Sequence, residues 1–405
     1  MNEWKKVKLG DLYEVHNGLS KGRQFFGTGF PFLTFSNVFN NWFLPEELES
    51  LVQTTDKERE GCSIKAGDVF ITRTSETMDE LGMSSVALKD YPNATYNGFT
   101  KRLRPITNRV SPRYIGYYLR TPKFRGQFMA FSTMTTRASL ANNDLLNMEV
   151  ELPPMEIQLR IASILSRYDS LIENYQKQIK LLKEAAQRLY KEWFVDLHFP
   201  GHENTKTVDG VPEGWEKKKL NNLVNLQSGY AFKSSTFEDS GQYKIVTIKN
   251  VKDGLFDGDN VSFIKSIPEK MPAHCLLQTG DILLSLTGNV GRVCFVIGKN
   301  YLLNQRVAKL DSHYPAFTYC LFRNHDMFIA INNLANGAAQ QNVSPIKIGE
   351  LYILVADNGT MDRFEQIAGN YRLKIIDLQS QIRLLTEARD RLLPKLMSGE
   401  MAVIE

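Results

Sequence analysis

Only four cysteines occur in 405 residues, with no CxxC pair and no histidine at ligand spacing, which excludes both a zinc ribbon and a disulfide framework. Cys62, Cys275, Cys294 and Cys320 read as small buried side chains. No run of eighteen apolar residues occurs, so no membrane-spanning helix is expected. The opening MNEWKKVKLGDLYEV lacks an apolar signal region, and a cytoplasmic chain is expected. Catalytic signatures are missing too: there is no P-loop, no HExxH and no GxSxG elbow. GTGF at 27–30 has two glycines of a dinucleotide loop, but Phe32 stands where the third belongs. ELPPM (151–155) is not the Asn/Asp-Pro-Pro-aromatic run with which an adenine methylase holds its flipped base. The histidines (16, 198, 202, 274, 313, 325) lie in or beside turns; His198 and His202 are four apart but flank the Pro-Gly turn of HFPGH, which gives no helical i, i+4 pair for a metal, and His16 and His198 read as surface or capping residues. Asp68 and Asp281 each follow a glycine at a turn, which favours a structural carboxylate. No catalytic residue and no metal ligand is assigned, and an enzyme acting alone fits poorly.

What is present is an ordinary globular composition with length for two or three domains. The net charge of +4 is too mild to indicate nucleic acid by itself. Its distribution says more. Residues 91–143 hold nine Lys or Arg and no Asp or Glu, whereas 46–90 is acidic overall. Such segregation gives either one basic face or a basic strand paired across an acidic one.

The stretch 154–199 has the periodicity of one long helix. Ile157, Ile161, Ile164, Tyr168, Leu171, Tyr175, Ile179, Leu182, Ala186, Leu189 and Trp193 alternate steps of four and three. That is a heptad seam with one doubled step at Tyr175–Ile179. A stripe of that length needs a partner of similar length. Phe364, Ile367, Tyr371, Ile375, Leu378, Ile382, Leu385 and Leu392 repeat the rhythm near the other end. The wording repeats as well: QKQIKLLKEAAQRLY (core 178–190) lies over QSQIRLLTEARDRLL (379–393).

The bodies before the two helices also match. WKKVKLGDLYEVHNG (4–18) returns as WEKKKLNNLVNLQSG (215–229), pairing Trp4 with Trp215, Leu9 with Leu220, Leu12 with Leu223 and Gly18 with Gly229. FLTFSNV (32–38) matches IVTIKNV (245–251), and CSIKAGDVFITRTSE (62–76) matches CLLQTGDILLSLTGN (275–289). Asn97 and Leu103 fall over Asn304 and Leu310. VFITRTS and ILLSLTG read as strands, with VALKDY and VCFVIG as the next ones. Runs 111–131 and 314–334 have helical periodicity, and the polar, Gly- and Pro-bearing 199–215 reads as an exposed connector. Tyr114, Tyr117, Tyr118, Phe124 and Phe128 suggest base stacking less than core packing, given their helical spacing. A period slightly over two hundred residues is a duplicated module, not a solenoid.

With GWEKKKLNNL (214–223), the entry LPPMEIQLRIASIL and the ending RDRLLPKLMSGEM (389–401), nearly the whole chain resembles the specificity (S) subunits of type I restriction–modification systems. The resemblance implies an α+β (mixed) fold: two similar α/β target-recognition domains separated by two long antiparallel helices in a coiled-coil-like pair, with a pseudo-two-fold internal repeat. The expected division is 1–155 first recognition domain, 156–198 central helix, 199–214 connector, 215–360 second recognition domain, and 361–405 C-terminal helix and tail. The second helix lacks the Pro-Pro lead and begins near DNGTMDRFEQIA, where Thr360 suits a cap and Asp362 the positive helix end. Helix-pair packing is expected from Ile161, Tyr168, Leu171, Tyr175, Ile179, Leu182 and Leu189 with Ile367, Tyr371, Ile375, Leu378, Ile382, Leu385 and Leu392.

The resemblance further implies a non-catalytic DNA-recognition subunit that reads a bipartite, asymmetric double-stranded target. It implies two methyltransferase subunits as partners and leaves open two restriction–translocase subunits; S-adenosylmethionine, ATP and Mg belong to those partners, and this chain holds no cofactor. Arg suits guanine, and Asn or Gln suits adenine. In the first domain the candidates are Arg73, Thr74 and Ser75, then Lys101, Arg102 and Arg104, and Arg137. In the second they are Thr287, Asn289 and Arg292, then Gln305 and Arg306, and Gln340, Gln341 and Asn342. Lys21, Arg23, Lys233 and Lys249 are candidates for phosphate contacts. Two other readings stay open: the same architecture in a fused or modification-only methyltransferase system, and a coiled-coil scaffold whose end domains bind proteins.

Overall fold

A computed structural model describes residues 4–75, 81–131, 138–139, 141–335 and 341–403. The chain divides into two compact units, Met1–Leu171 with Leu385–Glu405, and Ile172–Leu384. Each unit thus takes one of the two repeated bodies together with part of both long helices. The fold is mixed helix and strand, as expected.

In the first unit Val69–Thr72 is buried along its whole length, the pattern of a strand covered on both faces. It lies inside an antiparallel sheet ordered Tyr13–Asn17, Thr100–Pro105, Val69–Thr72, Ser84–Val86. A second sheet runs Leu51–Val52, Phe26–Leu33, Thr95–Tyr96, its middle strand antiparallel to the first and parallel to the last. Lys5–Lys8 pairs with Glu149–Leu152, joining the start of the domain to its end.

The second unit repeats this plan. Asn225–Ser228, Val307–Asp311, Ile282–Ser285 and Val293–Phe295 form a sheet of the same order and sense. Tyr243–Val246 is again antiparallel to one neighbour, Ser262–Ile264, and parallel to the other, Tyr301–Leu303; Leu276–Leu277 adds an edge strand. Glu216–Lys219 pairs with Tyr352–Val355. The duplicated glycines show why the repeat holds residue by residue. A Cβ on Gly18 would lie 2.1 Å from the Asn97 carbonyl oxygen, and one on Gly229 would lie 2.2 Å from that of Asn304. Only glycine admits so close a backbone approach.

Each long periodic run in the domain bodies is split in two. Residues 111–131 form Pro112–Tyr118 and Pro122–Phe131, and 314–334 form Pro315–Phe322 and His325–Leu334. In the second unit the Asn324 side chain starts the new helix by accepting from the Asp326 N–H at 2.8 Å. Tyr114, Tyr117, Tyr118, Phe124 and Phe128 are buried, so they are core residues. The expected strand VALKDY is displaced, since the ordered strand is Ser84–Val86 and shares only Val86 with it, and VCFVIG is strand only over Val293–Phe295. In the connector, Phe199 is buried and packs tilted against Trp215 with ring centroids 4.9 Å apart, and Thr207–Val208 pairs with Val211–Pro212. Its first residue is therefore anchored in the second core, although most of the segment is exposed. Cys275, Cys294 and Cys320 are buried and Cys62 half-buried, all as free thiols.

The central helix runs Met155–Tyr190 and continues as a π-turn, Lys191–Val195. Thirty-six residues correspond to about 54 Å. The C-terminal helix is Asn358–Met397. It is capped by Asp357, not by Thr360: Asp357 Oδ1 accepts from the Thr360 N–H at 3.0 Å, and Oδ2 from its hydroxyl at 2.7 Å. The carboxylate held by these bonds stays below the usual range although burial pulls it up.

The helices meet within both units. In the second, Phe364 packs against Tyr190, Trp193 and Phe194 with ring centroids 6.4, 5.8 and 4.9 Å apart. In the first, Arg389 Nη1 lies 2.7 Å from Asp169 Oδ1. Contacts of 190 with 364 and 169 with 389 run in opposite order, so the pair is antiparallel. Ile161, Ile179, Ile375 and Leu378 are buried. Tyr168, Tyr175, Leu182, Leu189, Tyr371, Ile382, Leu385 and Leu392 are half-buried. Two expected seam residues are not in the seam: Leu171 is 44% and Ile367 39% exposed. A straight helix drifts from a strict heptad. The buried face keeps the expected Phe364 and passes instead through Leu165 and Ala368.

The Arg389–Asp169 contact is the centre of a small network. Asp169 also accepts from the Tyr117 hydroxyl, and the guanidinium lies over Trp42 at 5.1 Å. Burial opposes the charge on Arg389, but hydrogen bonds to Asp169 and the neighbouring Asp390 carboxylate raise its pKa above the ordinary value. Burial and Asp169 both push the Tyr117 phenol up. Removing one member strands the others. Arg389→Ala is expected to cost about 2 kcal/mol, within the range for a hydrogen bond to a charged group. The added loss in D169A/R389A is expected to be much smaller than the sum of the single losses, measured by chemical unfolding of the four variants.

Candidate nucleic-acid interface

The loops at one end of each four-stranded sheet converge, and the same hydrogen bonds hold them in both units. In the first, the Leu19 N–H donates to the Tyr96 carbonyl at 2.8 Å and the Arg73 N–H to the Phe99 carbonyl at 3.0 Å. Thr74–Ser75 pairs with Ala138–Ser139. In the second, the Tyr230 N–H donates to the Leu303 carbonyl at 2.9 Å, and the Leu286 N–H to the Arg306 carbonyl at 3.0 Å. Thr287 bridges Asn342. Segments near positions 19, 74, 99 and 139 are therefore brought together in one domain, and those near 230, 287, 306 and 342 in the other.

The second unit assembles most of its candidates here. Thr287 is buried, and its hydroxyl donates to Asn342 Oδ1 at 2.8 Å. That bond fixes the orientation of the Asn342 amide. The turn after the strand is tied by the Ser285 hydroxyl, which donates to the Asn289 carbonyl and accepts the Arg292 N–H at 3.0 Å. Positive φ at Gly288 (72°) and Gly291 (87°) closes it. Asn289, Gln305, Arg306, Gln341 and Asn342 are exposed, and Arg292 is half-buried. Gln340 lies outside the described residues.

The first unit divides its candidates. Arg73 and Lys101 sit together at the converging end. Burial first, and the Arg73 charge second, lower the Lys101 pKa, and its ammonium donates to Asn142 Oδ1. Arg73 Nε is buried with no hydrogen-bond partner among the described residues. Lys101 is 4% exposed, so of these two cations it is half-buried Arg73 that offers its charge toward the surface. Thr74 and Ser75 form a described strand, and Arg137 lies outside the described residues.

Arg102 and Arg104 are corrected. Arg102 is 2% exposed and donates to the Ser63 carbonyl at 2.7 Å. Arg104 grips Asp68 with two bonds, Nε to Oδ1 at 2.8 Å and Nη2 to Oδ2 at 2.6 Å. They point inward because the strand alternates and that face carries the buried, acidic turn of the domain. The turn carboxylates are structural in both units: Asp68 accepts the Lys65 N–H at 2.7 Å, and Asp281 accepts the Gln278 N–H at 2.9 Å and pairs with Lys309 at 2.9 Å.

Of the phosphate candidates, Arg23, Lys233 and Lys249 are exposed. Lys21 is committed to Glu58 at 2.7 Å. His16 and His198 are exposed beside carboxylates. No cluster of His, Cys, Asp or Glu able to hold a metal occurs among the described residues. No described helix is long and apolar enough to cross a membrane.

The family described as "Type I restriction modification DNA specificity domain" matches residues 1–184 and 212–355. The chain is 27% identical to the type I restriction enzyme MjaIX specificity subunit of Methanocaldococcus jannaschii, covering 100% of this chain and 94% of that protein. It is 22% identical to the HindI specificity subunit of Haemophilus influenzae, covering 99% and 100%. Among solved structures, the S subunit of a type I restriction–modification system from M. genitalium superposes with a TM-score of 0.61 at 14% identity, covering 97% and 96%. That likeness concerns the fold.

Because Asp68 is fully buried, Arg104→Ala leaves its carboxylate unpaired. The variant is expected to lose about 3 kcal/mol, the cost of stranding one member of a buried pair. The loss would be read as a lower denaturant midpoint for the first unit.

Proposed function

The chain belongs to the family of type I restriction–modification DNA specificity proteins, and from that premise we propose that it reads a bipartite, asymmetric double-stranded DNA target, one half-site per domain. The observation that carries this reading is the pair of matched sheet ends. One backbone scaffold, held by the same hydrogen bonds, carries half-buried Arg73 and buried Lys101 in one unit and the exposed Asn289, Gln305, Arg306, Gln341 and Asn342 in the other. Equal scaffolds with unequal side chains suit two half-sites of different sequence. Phosphate contacts from Arg23, Lys233 and Lys249 supply affinity and register, and the converged loops supply selectivity.

In this proposal the two long helices set the spacer, placing half-sites about one helical turn, roughly 34 Å, apart on the same side of the duplex. The chain assembles with two adenine methyltransferase subunits, and with restriction–translocase subunits where the system cuts DNA. S-adenosylmethionine, ATP and Mg serve those subunits. Residues 1–155 and 215–360 are the recognition domains, 156–198 and 361–405 the helices, and 199–214 the connector. The setting is the cytoplasm. The same chain also suits a modification-only complex, in which no cutting partner joins.

Two measurements test the reading. DNA affinity is expected to fall steeply with salt, with a log–log slope of about −0.9 per phosphate neutralised; a protein-binding scaffold gives no such slope. Exchanging residues 1–155 for those of a relative is expected to change one half of the methylated sequence, read by methylome sequencing of cells carrying each version. A change in both halves would refute the modular assignment.

A further inference from the structure

The loop 96–101 of the first unit presents a large apolar side chain at the end where Arg73 and Lys101 converge. Phe99 is 54% exposed. A lone exposed phenyl ring on a slack loop means little. This loop has no slack. The Phe99 N–H donates to Asn97 Oδ1 at 2.6 Å, and the Thr100 hydroxyl to the Asn97 carbonyl at 2.7 Å. The Gly98 N–H donates to the Leu19 carbonyl at 2.9 Å, and the Phe99 carbonyl accepts the Arg73 N–H at 3.0 Å. A Cβ on Gly98 would come within 2.5 Å of Ser20 Oγ. The ring is held out by a fixed backbone.

The second unit supplies an independent observation. Arg306 occupies the same scaffold position: its carbonyl accepts the Leu286 N–H at 3.0 Å, as that of Phe99 accepts the Arg73 N–H. Two residues earlier, Asn304 bridges Tyr230 just as Asn97 bridges Leu19. One position therefore carries an apolar ring in one domain and a guanidinium in the other. The major groove offers a matching pair of features: the 5-methyl group of thymine is its apolar element, and guanine O6 and N7 are its acceptors for arginine. A phenyl ring has no donor for a phosphate, and at this exposure it fills no core.

Resting on the reading of the chain as a two-headed DNA reader, we propose that Phe99 is a specificity-determining residue that packs against the 5-methyl group of a thymine in one half-site, at the position from which Arg306 addresses guanine in the other. Asn97 and Gly98 are its positioning residues.

The test uses the full chain and duplexes carrying its methylated sequence, with each thymine replaced in turn by deoxyuridine, which removes only the methyl group. At one thymine the replacement is expected to weaken wild-type binding about tenfold, within the range of one base contact. Phe99→Ala is expected to bind the unmodified duplex with that same weakened affinity and to be indifferent to the replacement. Its affinity for unrelated DNA is expected to equal that of the wild type, which shows the fold intact. The proposal is overturned if F99A matches the wild type on the target or stays sensitive to methyl removal. It is also overturned if neither half-site contains an A·T pair, or if F99A weakens binding while no deoxyuridine does, the result for a ring wedged between bases. Wild-type protein with no salt-dependent DNA affinity overturns the two-headed reading itself, whereas failure of F99A alone removes only the role of Phe99.

Discussion

An apolar stripe some forty residues long is the constraint on which the structure depends. Water cannot satisfy it, and a helix cannot bury it against itself. The chain meets it with a second helix of similar length running the other way and with the edge of each domain core. Ile161 and Leu165 share one apolar cluster with Leu393, Leu396 and Met397, and Ile179 and Ala186 share another with Phe364, Ile375 and Leu378. Because each domain packs on both helices, neither domain's core is complete without residues from distant parts of the chain.

The polar interruption in that pair is as informative as the apolar run. Arg389 stands where the rhythm from Leu385 to Leu392 would place another hydrophobe; it meets Asp169, and Tyr117 and Trp42 of the domain body close around them. An apolar seam of leucine and isoleucine tolerates slippage by a turn. A charged pair with fixed hydrogen-bond geometry does not, since slipping it leaves each charge desolvated and alone. The same reasoning separates the arginines of the first domain. Arg104 is spent on Asp68 inside the fold, while Arg73 sits at the sheet end with its Nε buried and without a hydrogen-bond partner among the described residues.

Duplication lets one fold carry two different sets of loop side chains. The strands, their order and the hydrogen bonds that gather the loops recur in both units, and so do Gly18 and Gly229 at their close backbone contacts. Asn97 recurs as Asn304, but Phe99 is replaced by Arg306 and Arg73 by Leu286. Packing restricts the first set, because any Cβ at those glycines collides with a carbonyl oxygen. Exposed loop side chains such as Phe99 and Arg306 meet no such collision, which leaves them able to differ between the domains.

The amino-acid order alone determined the repeat, the two long helices, their partnership, and the buried tyrosines and phenylalanines of 111–131. Each of these rests on periodicity or local identity, which are one-dimensional properties. Tertiary structure alone decided which basic residues are available. Lys101, Arg102 and Arg104 are neighbours in one strand of a region without carboxylates, yet the acidic partner of Arg104 comes from a turn thirty-six residues away. It also decided that Leu171 and Ile367 leave the seam, that Asp357 caps the second helix, and that Phe99 and Arg306 occupy one position. Those outcomes depend on which distant segments meet and at what angle, and that is settled only when the backbone closes on itself.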